Sequence, residues 1–343
     1  MSSKINIDKE SKIAVYKQLV RQIQDLVRVN TYKTGDFIPS MNDLAMELNI
    51  SKETVKKAYS ILREKGIIES AHGKGFYVTN SMENKIRILL LFDNINTYKH
   101  ILYNSFLESL DNNAEITIRL HNQDFEVFNE FVEENLGYFD YYIITPHFPL
   151  DSAIQKKVIK TLKKIPNRKL ILLDRNIKGL PGNYGAVYQD FENDVCEGLS
   201  QGLETLKKFK VLNMLSMPGS LYAPLAEKSV QTFCNEHNIS FKNHKTITMD
   251  AIKKHEAYLI FNSQLDVELL ELAKAAKQNG YEIGKDIGVI SYNESPINEI
   301  VLNGLTVLST DFKKMGELAA KMVLEKTLRK IKCDFHLIKR STF

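Results

Sequence analysis

Cysteine is scarce in this 343-residue chain, and the three present (Cys196, Cys234, Cys333) are widely spaced and odd in number. They offer neither a disulfide framework nor the paired spacing of a zinc site. A reducing cytoplasm with small buried thiols is the simplest reading. Long apolar runs are missing too. No stretch approaches the roughly 18 residues needed to span a bilayer, and the opening MSSKINIDKES lacks the apolar core of a secretory signal. A cytoplasmic location with no membrane partner is expected. Catalytic signatures are also lacking: there is no HExxH, no GxSxG and no clustered Cys/His set. The glycines of GLPGNYG (Gly179, Gly182, Gly185) fit neither a Walker P-loop nor a GxGxxG turn between strand and helix. No catalytic residue, metal ligand or cofactor is therefore assigned.

Hydrophobic content of 43% and charged content of 26% are ordinary for a globular protein, and the length calls for two or three domains. The net charge is +4. Residues 1–80 hold 13 Lys plus Arg against 9 Asp plus Glu, while the remaining 263 hold 33 of each. All the excess positive charge lies on the first quarter, as a phosphate-facing module ahead of a neutral body requires. Charge of this size does not carry that reading alone.

Local pattern adds to it. Val15, Leu19, Ile23, Leu26 and Val27 recur at helical spacing. Ser40 is placed to cap a second helix, with Asp43 as its capping-box-like partner. Leu44, Ala45 and Leu48 form that helix's inner face, and Asn49-Ile50 makes a turn. Ser51 caps a third helix with Val55, Ala58, Tyr59 and Leu62 inside; Lys52, Thr54, Lys56, Lys57 and Ser60 lie on or beside the other face. Ser51 and Thr54 carry short hydrogen-bonding groups suited to base edges or phosphates, and the lysines supply salt-sensitive attraction to a backbone. Ile67–Ser70 and Phe76–Val78 read as two strands around His72-Gly73-Lys74-Gly75, whose tip can touch a minor groove or a phosphate. Any one of these parts is also what an ordinary solvated surface looks like; their order is the specific signal.

That order resembles the winged helix-turn-helix domain of the GntR family of bacterial transcription regulators. The match is carried by Tyr16-Lys17-Gln18-Leu19, Gly35-Asp36-Phe37-Ile38-Pro39-Ser40, Leu44-Ala45, Ile50-Ser51, Thr54-Val55, Ala58-Tyr59, Leu62, Gly66-Ile67-Ile68 and Gly73-Lys74-Gly75. The resemblance implies double-stranded operator DNA as a partner, contacted by Ser40, Asn42, Ser51, Lys52, Thr54, Lys56, Lys57, His72 and Lys74. Asn42 and Lys56 stand where arginine is common. Arginine grips guanine bidentately and these residues do not, so the operator sequence is left open.

After a polar linker at 81–85, strand-like and helix-like segments alternate in two series, separated by the glycine-proline stretch at 179–185. Alternating βα units imply parallel sheets covered by helices. Two series imply two lobes with a cleft at the carboxyl ends of their strands. The series include a helix over Asp190–Lys207 and a strand near Lys245–Met249. Ile287–Pro296, Leu305–Thr310 and Met315–Ala320, with the earlier Ile171–Arg175, are similar to the effector domain of the lactose/galactose-repressor family and its periplasmic sugar-binding relatives. This resemblance implies three chain crossings between the lobes, hinge closure and a homodimer. By position it implies effector contacts from Asn96, Tyr98, Lys99, His147, Asp174, Arg175, Asp190, Asn262 and Asn293. Asp, Asn and Arg would meet sugar hydroxyls, and Tyr98 a sugar face. Several have plainer roles open to them: Asp190 as a helix cap, Asn293 as a turn former, Tyr98 as core, and Asp174-Arg175 as a surface ion pair.

The expected fold class is α/β, an N-terminal winged helix-turn-helix plus a two-lobed parallel-sheet domain of periplasmic-binding-protein type. The expected boundaries are 1–80, linker 81–85 and 86–343. The expected function is a DNA-binding transcription regulator, a repressor, controlled by a small-molecule effector of monosaccharide type. Two alternatives stay open: an enzyme fused to the DNA module, such as a pyridoxal-phosphate enzyme, and an effector that is not a sugar.

Overall fold

The computed structural model describes residues 5–11, 13–79, 85–216, 220–246, 252–261 and 267–343. The linker residues 81–84 and Asn262 fall outside these. The chain divides into two compact units, one of residues 1–88, 112–116 and 130–140, the other of residues 89–111, 117–129 and 141–343.

The first unit opens with α1 (Val15–Arg28), then β1 (Phe37–Ile38), α2 (Met41–Glu47), α3 (Lys52–Glu64), β2 (Ile68–Ala71) and β3 (Gly75–Val78). The helices start where local chemistry satisfies their free N–H groups. Ser40 Oγ accepts from Asp43 N–H at 3.2 Å and donates to Asp43 Oδ2 at 2.7 Å; Ser51 Oγ accepts from Thr54 N–H at 3.1 Å. Leu19, Ile23 and Val27 of α1 pack with Leu44, Val55, Ala58, Leu62 and Val78 in one core. Tyr59 is buried there, its hydroxyl donating to Pro39 O at 2.6 Å. The three strands form an antiparallel sheet in the order β1-β3-β2. β1 has only two residues and no pattern in the sequence marks it.

The outer face of α1 has a second set of partners inside this unit. Arg28 Nη1 reaches Asp140 Oδ2 at 3.1 Å, and Arg87 Nη1 reaches Asp25 Oδ1 at 2.7 Å. The Tyr138 ring lies 4.3 Å from the Arg21 guanidinium and 4.8 Å from that of Arg87. Three arginines and two aspartates thus meet here, with Arg21 and Arg87 against the Tyr138 ring.

From β4 (Ile86–Phe92) onward the chain alternates α4 (Thr97–Leu110), β5 (Ala114–Leu120), α5 (Phe125–Asn135), β6 (Tyr141–Ile144), α6 (Ser152–Leu162), β7 (Leu170–Asp174) and β8 (Gly185–Tyr188). The second series has α7 (Asp194–Gln201), α8 (Leu203–Leu206), β9 (Val211–Ser216), α9 (Ala223–Glu236), β10 (Ser240–His244), β11 (Glu256–Phe261), α10 (Val267–Gln278), β12 (Gly288–Tyr292) and β13 (Thr306–Thr310). It ends with α11 (Phe312–Glu325), β14 (Lys330–Lys332) and β15 (Phe335–Ile338). Two six-stranded sheets result, ordered β5-β4-β6-β7-β8-β14 and β10-β9-β11-β12-β13-β15. Each reverses its strand order once, between β4 and β6 and between β9 and β11; such switch points open a crevice at the strand ends. The inner strands β4, β6, β7, β11 and β12 are largely apolar runs buried on both faces, as parallel sheets between helices require. In the second sheet, Leu212, Met214 and Leu259 face one core and Tyr258, Val289 and Val307 the other.

The chain passes between the two sheets three times: from β8 to α7, from β13 to α11, and from β14 to β15. α11 returns to the first sheet's side and packs on α4. Gly316 makes that approach possible, since a Cβ there would lie 2.4 Å from Leu102 O and 2.9 Å from Phe106 N.

Four details differ from the sequence-based expectation. The helix over Asp190–Lys207 is two helices, α7 and α8, meeting at Gly202. The strand near Lys245–Met249 lies earlier, as β10, while 247–249 fall outside the described residues. β8 and β14 were unforeseen: β8 follows directly on the glycine-proline stretch, and β14 is a polar three-residue edge. The second sheet is not wholly parallel, since β15 runs antiparallel to β13.

Candidate functional site

In the first unit, the caps at Ser40 and Ser51 fix where α2 and α3 begin, and so which side chains face outward. Ser40, Asn42, Ser51, Lys52, Lys56, Lys57, His72 and Lys74 are exposed, and Thr54 is half-buried. Their charges are tempered unequally. Lys56 Nζ has Glu53 at 3.7 Å, while Lys57 Nζ sits over the Tyr16 ring at 4.0 Å. Thr54 Oγ1 and Ser51 Oγ are 2.8 Å apart, which ties the first turn of α3 together. The tip between β2 and β3 bends through Gly73 and Gly75, both at positive φ, and carries His72 and Lys74 outward.

In the second unit a buried polar cluster occupies the switch point of the first sheet. Asp93 follows β4 and Thr145 follows β6; Thr145 Oγ1 donates to Asp93 Oδ1 at 2.8 Å and accepts from Asp93 N–H at 2.9 Å. Lys99, on the first turn of α4, is buried with its ammonium on Asp93 and, at 3.2 Å, on Asn94 Oδ1. His147 Nε2 lies 2.9 Å from Asp174 Oδ2, and Tyr98 places its hydroxyl 3.4 Å from the same oxygen. The Tyr98 ring packs on Phe312 at 4.3 Å.

Burial works against both carboxylates, but neighbouring cations prevail. His147 and Lys99 hold Asp93 below the usual carboxylate range, and His147, Lys99 and the Gln189 amide do the same for Asp174. Burial, reinforced by these two anions, pushes the Tyr98 phenol well up, so it keeps its proton. Two ionised carboxylates, an ammonium, an imidazole and protonated phenols therefore share one small volume. That set supplies both donors and acceptors, as recognition of a hydroxyl-bearing molecule demands.

The sequence-derived candidates divide accordingly. Tyr98, Lys99, His147 and Asp174 come together in the cluster. Asn96 caps α4, its Oδ1 accepting from Lys99 N–H at 3.1 Å. Arg175 donates to Pro146 O at 3.0 Å and to Gln155 Oε1 at 3.1 Å, with no carboxylate as its partner among these bonds. Asp190 accepts from Glu192 N–H and from the Asn193 amide in the turn before α7. Asn293 is buried at positive φ after β12, and its Oδ1 has no hydrogen-bond partner among the described residues. Asn262 lies outside the described residues.

Sequence reasoning missed Asp93, Thr145, Gln189, Phe191 and Tyr222. Asp93 and Thr145 were discoverable, being the first residues past adjacent parallel strands. Gln189 had no such signal, yet it is a node. Its Nε2 donates to Asp174 Oδ1, and its Oε1 accepts from Tyr292 hydroxyl at 3.1 Å and Thr310 hydroxyl at 3.2 Å. It thereby joins the end of β7 to the ends of β12 and β13. Among the described residues, no group of three or more His, Cys, Asp or Glu is placed to hold a metal ion.

Comparison with known proteins now bears on these two regions. Residues 15–78 match the model of bacterial regulatory proteins of the gntR family, and residues 225–337 that of the periplasmic binding protein-like domain. The chain joins a gntR-type helix-turn-helix domain to a periplasmic-binding-protein-like domain. The chain is 34% identical over 82 residues to the transcriptional repressor YtrA of Bacillus subtilis, covering 24% of this chain and 63% of YtrA. Over 68 residues it is 34% identical to the regulator TreR of Bacillus subtilis, covering 20% and 27%. Over 88 residues it is 32% identical to MngR, the mannosyl-D-glycerate transport/metabolism system repressor of Escherichia coli, covering 25% and 37%. The chain thus spans less than two thirds of these relatives. The fold of the rest is that of the lactose repressor bound to the anti-inducer ONPF (TM-score 0.59, 17% identity, 75% of this chain and 99% of that one). It is likewise that of a periplasmic binding protein/LacI transcriptional regulator from Alkaliphilus metalliredigens complexed with D-xylulofuranose (TM-score 0.55, 15% identity, 75% and 98%).

Proposed function

We propose that this protein is a transcription regulator of repressor type, in which a winged helix-turn-helix domain (1–80) reads an operator and a two-lobed domain (86–343), joined through 81–85, binds a small-molecule effector. The observation that carries this is the co-occurrence, in one chain, of a gntR-type domain with a buried donor–acceptor cluster at a switch point. On this reading α3 enters the major groove with Ser51 and Thr54 toward the bases, while Lys52, Lys56, Lys57, His72 and Lys74 contact phosphates. Ser40 and Asn42 adjoin the backbone at the start of α2. Two copies form a homodimer, so that two heads meet two half-sites. Effector binding shifts the balance between two arrangements of the lobes by its difference in affinity for them.

A sugar or sugar derivative is the proposed effector class. The mixture of carboxylates, imidazole and aromatic rings supports it. So do the naming of MngR for mannosyl-D-glycerate and the D-xylulofuranose in one structural neighbour. The contacts proposed are Asn96, Tyr98, Lys99, His147, Asp174, Arg175, Asp190, Asn262 and Asn293. The protein is proposed to act in the cytoplasm and to have no enzymatic activity; no helix among the described residues is long and apolar enough to cross a membrane.

A thermal-shift screen of the full chain against monosaccharides and their phosphates tests this. Binding to the native state raises the melting temperature by mass action, and the same compound must alter operator affinity. Arg175→Ala should abolish that response and leave operator binding intact. A compound that stabilises the protein yet never changes operator binding would argue against effector control.

A further inference from the structure

Tyr222 reaches the polar cluster from the second lobe. It immediately precedes α9, and its hydroxyl lies 2.7 Å from His147 Nδ1. Its ring stacks on Phe191 at 3.8 Å with 14° between planes, and the Arg175 guanidinium lies 5.6 Å from the same ring. Burial pushes the Tyr222 phenol up, so it keeps its proton. The Tyr222 hydroxyl, the two ring nitrogens of His147 and Asp174 Oδ2 thus form one continuous chain of hydrogen bonds. This relay fastens the loop after β6 to the N-terminus of α9.

We infer that Tyr222 is a built-in occupant of the effector subsite, and that an effector enters by displacing it. A flat ring against Phe191 and one hydroxyl hydrogen-bonded to His147 are two contacts that a cyclic polyol makes with its apolar face and an equatorial hydroxyl. The ligand class is accordingly a ring compound with one apolar face and an adjacent hydroxyl. Tyr222 competes with it and sets the affinity, while the same side chain bridges the lobes in the sugar-free protein. The inference rests on the cleft being the effector site. Its bridging part is tested without any ligand.

The chain has no tryptophan, so Tyr222→Trp introduces a sole indole emitter at this position. In full-length, sugar-free protein we expect blue-shifted emission that acrylamide quenches weakly. A hexose found to raise the melting temperature, for example D-glucose or N-acetyl-D-glucosamine, should shift the emission to the red and increase quenching several-fold. Tyr222→Phe keeps the ring and deletes the hydroxyl. Losing one hydrogen bond should tighten hexose binding by about 2- to 10-fold, and speed amide exchange at Thr145, His147, Phe148, Tyr222, Ala223, Leu225 and Ala226 of the sugar-free protein. Red, freely quenched emission without sugar would overturn the inference, as would unchanged exchange in Tyr222→Phe. A hexose that binds while the indole stays buried would also overturn it, since Tyr222 would then be a platform and not an occupant. If no hexose binds any variant, the sugar reading fails, and the sugar-free emission and exchange still decide whether Tyr222 bridges the lobes.

Discussion

Replacing Gln189 with leucine should be among the most damaging single changes in the second unit, although no charge is lost and the volume barely changes. The amide serves three buried groups at once: the Asp174 carboxylate, the Tyr292 hydroxyl and the Thr310 hydroxyl. Leucine leaves each without this partner in a region that water does not reach. A buried polar group stripped of its partner costs about 1–3 kcal/mol, toward the upper end for a charged one. The three losses share one site and do not simply add, so the net destabilisation should be about 3–5 kcal/mol. At roughly 2 °C per kcal/mol for a domain of this size, the melting temperature should fall by about 6–10 °C. The measurement is calorimetry of the purified full chain, following the transition that belongs to the two-lobed domain. Gln189→Glu should be worse still, because it sets a second carboxylate against Asp174. A fall of less than about 2 °C in Gln189→Leu would refute the reasoning, since it would mean that Asp174, Tyr292 and Thr310 find other partners at little cost.

Three further expectations concern separate parts of the molecule. His121 is buried between Phe128 and Phe148, with Nε2–H donating to Thr145 O at 3.1 Å, and burial lowers its pKa to about 4. The unfolded chain therefore takes up a proton near its ordinary pKa of about 6.5 that the folded one refuses. Stability is lost as pH falls from there toward 4, by about 2–3 kcal/mol at pH about 4.5. His121→Phe should remove that part of the acid sensitivity in urea titrations, and an unchanged pH dependence would count against it. Gly316→Ala gains up to about 1 kcal/mol of helix propensity but drives a methyl into backbone atoms of α4, where overpacking costs about 1–3 kcal/mol. A net loss is expected, and a more stable variant would show that the two helices separate freely. Lys56→Ala and Lys74→Ala should each weaken operator binding and reduce the slope of log K against log salt by about 0.9; an unchanged slope in both would remove these lysines from the DNA face.

What the sequence disclosed follows from the range of the interactions involved. Ser40 and Ser51 were readable because a cap acts within one helical turn. β4, β7 and β12 were readable because strands buried on both faces must be almost wholly apolar. Tyr98, His147 and Asp174 could be nominated because the resemblance to the lactose/galactose-repressor effector domain places cleft contacts at their positions, at or just beyond strand ends or at the start of the helix that follows. The partners of those residues were not readable. Tyr222 meets His147 from 75 residues away, Tyr292 meets Gln189 from 103 residues away, and Arg28 meets Asp140 across 112 residues. No local periodicity encodes such pairings. Lys99 shows the same limit: an amphipathic reading places a lysine in solvent, and only the tertiary placement of Asp93 makes its burial tolerable. β14 escaped notice because an edge strand of Lys330, Ile331 and Lys332 is held by backbone bonds to β8, with no apolar pattern of its own.

The three passages of chain between the sheets have a consequence for biosynthesis. Each sheet receives its last border strand only at residues 330–338, so neither lobe is contiguous in the sequence, and neither can finish folding while those residues are still inside the ribosome. The core of residues 13–79, in contrast, is assembled from neighbours and is ready first. A premature stop anywhere between the linker and β14 would strip both lobes of an edge at once while leaving the winged helix-turn-helix whole. Nonsense lesions late in the gene should therefore destroy the larger domain as completely as early ones within it.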